Sequence, residues 1–139
     1  MEQENDFIKR EIQKLVFALM KLIDKTVSAD INNFEAVVFE TNKQLEAYFG
    51  FSTNEISDAT NSELIQKVEG LHQEHLEKLI ELLYHTIQKS KEFGIEINFK
   101  NIELSNKLLL LIDLADNRSK SFSVERMNMK SQLIKNSNK

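Results

Sequence analysis

Apolar residues recur at helical spacing along almost the whole chain. Near its start, Ile8, Ile12, Leu15, Leu19 and Leu22 alternate intervals of four and three, with Ile23 beside the last. That rhythm puts them on one stripe of an amphipathic helix, predicted over Asn5–Lys25. Asp6 and Arg10 stand four apart with the acid first, the better order for a helical ion pair. Phe7, Phe17 and Met20 lie off the stripe. They predict a helix covered on more than one side, by the long second and fourth helices or by a second copy of the chain.

A second helix is predicted over Asp30–Phe49. Ile31, Phe34, Val38, Leu45, Tyr48 and Phe49 mark its inner side, and Gly50 stands where a left-handed stop is expected. Val37-Val38-Phe39 is locally β-like but too short to make a strand. Ser52-Thr-Asn-Glu55 and Thr60-Asn-Ser-Glu63 both have the form of a capping box. The first opens about one turn around Ile56. The second opens a short helix through Leu64, Ile65 and Val68. A long helix follows over Leu71–Phe93, striped by Leu76, Leu79, Ile80, Leu83 and Ile87 and stopped by Gly94, with Glu74 and Lys78 as a second acid-first pair. Ile95, Ile97 and Phe99 pin the linker, and Asn98 is the expected N-cap of the next helix.

That next helix runs from Phe99 to about Ala115. Leu104, Leu108, Leu111 and Ala115 form one apolar side and Leu109, Leu110 and Leu114 a second, the mark of a central helix. The last helix begins after Ser123, with Val124, Met127 and Ile134 on a thin apolar edge, and residues 136–139 are expected to fray. The expected fold is all-α, a single domain over residues 1–139. It has about five main helices and one or two short turns, packed as antiparallel hairpins in a bundle-like or tetratricopeptide-like arrangement.

Composition agrees. The chain of 139 residues has no proline, no cysteine and three glycines. Absence of proline removes the strongest helix breaker, and absence of cysteine excludes disulfides, thiolate metal sites and cysteine nucleophiles. No segment approaches the roughly 20 apolar residues that span a bilayer. The acidic start, MEQENDFIKR, lacks the apolar core of a secretion signal, so a cytoplasmic protein without membrane contact is expected. Charge is divided: residues 1–116 hold 12 Lys and Arg against 21 Asp and Glu, whereas residues 117–139 hold 6 against 1. An acidic body argues against nucleic-acid binding by the main domain and leaves the basic C-terminal segment as the one exception. The basic end makes Arg126 and Lys130, one turn apart, the candidate partner surface. They face an acidic patch either of the preceding helices or of a partner.

Little else carries chemistry. His72 and His75 have a spacing that could offer two imidazoles to zinc or nickel, but no third ligand is identifiable near them. His85, beside Glu81, falls on the polar face. No G-x-S-x-G elbow, no paired Glu-x-x-His motifs of the di-iron bundle type and no glycine-rich phosphate loop is present. No catalytic residue, cofactor or metal site is therefore expected.

Asp6-Phe7-Ile8-Lys-Arg10-Glu-Ile12 resembles the opening of a family of small, uncharacterised, all-helical bacterial proteins, whose starts read acid–aromatic–Ile-x-Arg-x-Ile. Leu109–Met127, with Ser119-Lys-Ser121-Phe-Ser123-Val-Glu125-Arg126, resembles that family's end, where a serine-bearing turn links two helices. The resemblance implies a tetratricopeptide-like helical hairpin in the C-terminal half and brings no activity. The expected function is a non-enzymatic helical module that contacts another protein, or itself as a homo-oligomer. The alternative is a small enzyme or ligand-binding helical domain whose site is assembled from scattered side chains.

Overall fold

The computed structural model describes residues 2–120 and 123–137, and every regular element within them is a helix. There are seven: α1 (Glu2–Val27), α2 (Phe34–Phe49), α3 (Thr53–Asp58), α4 (Asn61–Val68), α5 (Gln73–Phe93), α6 (Asn101–Ser119) and α7 (Val124–Ser137). Five are long. The segment expected as one turn around Ile56 is the helix α3, and the short helix expected through Leu64, Ile65 and Val68 is α4, which raises the count from about five to seven.

Local chemistry sets the boundaries. α2 starts at Phe34 rather than Asp30 because Asp30 and Asn33 tie a turn between them. Asp30 Oδ1 accepts from the Asn32 and Asn33 amides at 2.9 Å each, and Asn33 Oδ1 accepts from the Asp30 amide at 2.8 Å. Ile31 sits in that turn and is exposed. Gly50 and Gly94 close α2 and α5 with φ of 81° and 67°, a region glycine occupies without steric penalty. The Thr60 capping box forms: its hydroxyl accepts from the Glu63 amide at 3.2 Å. At α3 the Ser52 hydroxyl turns to the Asn54 and Glu55 side chains. Asn42 of α2 caps α3 instead, with Oδ1 accepting from the Thr53 amide at 3.0 Å and hydroxyl at 2.7 Å.

Asn98 is not the cap of α6. It adopts φ of 59° in the linker, Lys100 is the N-cap residue, and Glu96 reaches forward to accept from the Asn101 amide at 2.6 Å. A carboxylate near a helix N-terminus also opposes the helix dipole. The buried Phe99 side chain then anchors the linker.

α1 and α5 pack side by side and run parallel. Ile12, near the middle of α1, meets His75 at the start of α5, and Lys89 towards the end of α5 reaches the Ala29 carbonyl just past α1 at 3.2 Å. α5 and α6 are antiparallel: the Gln73 amide donates to the Ala115 carbonyl at 3.0 Å. α6 touches α3, α4, α5 and α7, as its two apolar sides require. α2 lies against α1, and Phe34 at its start meets Phe93 edge-on at the end of α5. One continuous core results, running from Leu19, Leu22 and Ile23 of α1 through the α5 and α6 stripes to Met129 and Leu133 of α7. Burial of a side chain such as Leu79 or Leu108 contributes roughly 1.5–3 kcal/mol. The arrangement is a bundle, because α1 packs on a helix far along the chain rather than on its successor alone.

The two ends of the chain depart from expectation. Phe7, Ile8, Phe17 and Met20 of α1 are exposed, so α1 is covered within this chain on one side only. On α7, Val124, Met127 and Ile134 point outward, and the packed side is Arg126, Met129 and Leu133. The thin apolar edge is the outer one because a better-satisfied polar group takes the inner face. α7 extends to Ser137, into the segment expected to fray; residues 138 and 139 lie outside the described residues. Tyr48, expected on the inner side of α2, is exposed.

Candidate functional site

Arg126, at the start of α7, is only 7% exposed. Its Nε donates to Asp116 of α6 at 2.6 Å, its Nη1 to Glu77 of α5 at 2.9 Å and its Nη2 to the Ser119 hydroxyl at 3.3 Å. A planar guanidinium suits this task because it can divide its donors among three partners. Burial disfavours its charge, but the hydrogen bonds and attraction from Asp116 and Glu77 outweigh that and raise its pKa above the usual range. Lys130, one turn on, pairs with Asp113 of α6 at 2.9 Å, which likewise raises its pKa. The acids facing these two cations belong to the chain itself. The cleft beside them, about 290 Å³, lies between α5 and α7 and is lined by Glu77, Lys78, Glu81, Ser123, Glu125 and Arg126. Arg126 is held by three partners of its own chain, and the Ser123 hydroxyl accepts from the Arg126 backbone amide at 3.2 Å.

His72 and His75 come together, with ring centroids 5.6 Å apart. Each ring has a structural partner. His72 is the N-cap of α5, with Nδ1 accepting from the Glu74 amide at 3.1 Å. His75 Nε2 lies 3.0 Å from the Ile12 carbonyl of α1, which requires that nitrogen to carry the proton. Among the described residues no three His, Cys, Asp or Glu side chains are grouped to hold a metal ion. His85 is half-buried and meets Tyr84 edge-on.

The unsatisfied surface lies on α1. Its inner face is anchored by Leu19, Leu22 and Ile23, and the opposite side presents Phe17, 58% exposed, and Met20. Beside Phe17 runs a groove of about 380 Å³ between α1 and α2, lined by Lys14, Phe17, Ala18, Lys21 and Lys25 from α1 and Glu40, Gln44 and Tyr48 from α2. Lys14 pairs with Glu11 at 3.1 Å, both side chains exposed. Glu40 accepts from the Gln44 amide at 3.0 Å.

No family model, no curated protein and no solved structure matches the chain. The α1 wall of the groove combines an exposed aromatic and a shelf of cations, and Met20 is exposed on the same helix outside the groove. Phe17 and Met20 stand out in the sequence by their position off the stripe. The lysines do not, although Lys14, Ala18, Lys21 and Lys25 recur at four, three and four, the mark of one helix edge. Tyr48 is missed because one heptad-like position is scarcely distinguishable from the next when α2 has only one close long neighbour.

Proposed function

We propose that this protein is a non-enzymatic helical module that acts by contacting another protein through the outer face of α1. The observation that carries this is the exposure of Phe17 and Met20, with Tyr48 across the groove, on a helix whose other side is fixed in the core. Single exposed apolar residues are ordinary, but two aromatic side chains, Phe17 and Tyr48, on facing walls of one groove are the composition of a contact surface. Aromatic anchors seated in a partner's pocket carry a large share of binding energy in such interfaces. A cysteine-free chain in which no described helix is long and apolar enough to cross a membrane suits a cytoplasmic setting.

Affinity capture from native lysate tests this, with the wild-type chain and Phe17→Asp used as parallel baits. The substitution is on the surface, so helicity by circular dichroism should be unchanged. At least one protein recovered with the wild-type chain should be lost with the variant. Identical recovered sets would overturn the assignment of α1 as the contact face.

A further inference from the structure

The groove beside Phe17 has a charge opposite to that of the body around it. Residues 1–116 carry a large excess of acid, yet from Lys9 to Lys25 the chain holds Lys9, Arg10, Lys14, Lys21 and Lys25 against only Glu11 and Asp24. Three of these lysines line the same wall of the groove. Lys14 and Lys25 are eleven residues apart, about 16 Å along the helix axis, or three turns of a helix lying alongside. Lys21 and Lys25 have no ion-pair partner among the described residues. Glu40, the one acid lining the groove, accepts from the Gln44 side chain, and Lys14 shares its charge with Glu11, so the wall is net cationic through Lys21 and Lys25. Ala18, Leu22, Phe17 and Tyr48 supply the apolar part of the groove's lining.

Resting on the protein-contact function proposed above, we propose that the α1–α2 groove receives an acidic amphipathic helix of a partner protein, whose carboxylates meet Lys14, Lys21 and Lys25 and whose apolar stripe packs on Phe17 and Tyr48. A furrow between two neighbouring helices fits a third helix laid along it. Opposed charge supplies steering and register, and the apolar stripe supplies most of the affinity. A second copy of the chain suits the groove less well. Pairing α1 with itself in antiparallel fashion about Phe17 brings the Lys14 and Lys21 edges of the two copies together. An anionic membrane suits it less well too, because three lysines face it while the surrounding body is acidic.

A display library of helical peptides with varied charge and a fixed apolar stripe, selected against the full chain, tests the proposal. Acidic helices should be enriched. A synthetic acidic helix from that selection should bind wild-type protein by fluorescence anisotropy, and should bind K14E/K21E/K25E at least tenfold more weakly. The milder Lys21→Gln/Lys25→Gln pair should give an intermediate loss, and salt should weaken only the wild-type interaction strongly. Circular dichroism confirms that each variant is folded. Enrichment of basic or uncharged helices, or acidic helices that bind the triple variant as tightly, would overturn the acidic occupant while leaving α1 as a protein-contact face. Enrichment of no helix at all would overturn it as well. So would lysine-dependent self-association by light scattering, or lysine-dependent binding to vesicles containing phosphatidylserine, each of which names a different occupant.

Discussion

Replacing Arg126 should cost the fold more than placing a charge on Met127, although sequence pattern alone ranks the two the other way. Arg126→Ala removes donors to Asp116 and Glu77 and leaves both carboxylates facing the end of α6 and the flank of α5. Breaking a fully buried ion pair costs about 3–5 kcal/mol. The carboxylate side chains here are 43% and 38% exposed, so water solvates them once the arginine is gone. The loss should fall to about 1–3 kcal/mol, near that of one or two hydrogen bonds to charged groups. Met127 is 46% exposed, and a surface substitution of that kind usually changes stability by about 0.5 kcal/mol or less. Urea unfolding followed by helical circular dichroism separates these values. With a urea dependence of about 1–3 kcal/mol per molar, Arg126→Ala should lower the midpoint by roughly 0.5–2 M and Met127→Asp by much less. A midpoint for Met127→Asp at or below that of Arg126→Ala would refute the assignment of the inner face of α7.

Three further outcomes follow from the same contacts. Leu133→Ala should destabilise the chain by about 2–5 kcal/mol, because Leu133 is one of two apolar side chains that α7 buries; thermal unfolding measures it. Asn42→Ala should cost about 1–3 kcal/mol in urea unfolding, since it strands the buried amide and hydroxyl of Thr53 together. Asp113 raises the pKa of Lys130 in the folded chain, so the pair's contribution is complete below the ordinary lysine range and is lost as pH rises through the raised folded value. The urea-midpoint gap between wild type and Lys130→Met should therefore hold at neutral pH and close in strong alkali; a gap that stays constant throughout would contradict that contribution.

The long helices were legible because each buries a stripe dense enough to survive on local pattern. Leu76, Leu79, Ile80, Leu83 and Ile87 on α5 are all buried. Gly50 and Gly94 were legible because a left-handed helix stop leaves few other choices. The inner face of α7 was not. Its packed positions are Arg126, Met129 and Leu133, and pattern favours the face with more apolar letters. Arg126 is buried only because Glu77, distant in sequence, arrives on α5. The cap of α6 was misplaced for a similar reason: Glu96 reaches over from the linker, and no tetrapeptide rule describes that span. On α1, sequence marks Phe17 and Met20 as unaccounted for but cannot say whether this chain covers them. That depends on where α2 and α5 dock on α1, and both leave Phe17 and Met20 exposed.

Hydroxyl-radical footprinting tests the central claim most directly, by comparing the chain labelled inside cells with the purified chain. Met20, Phe17 and Tyr48 should be oxidised freely in the purified protein and protected in cells, while Met127, exposed on the outer face of α7, should be labelled equally in both. Equal labelling of Met20 and Phe17 in the two settings would contradict a partner on the α1 face.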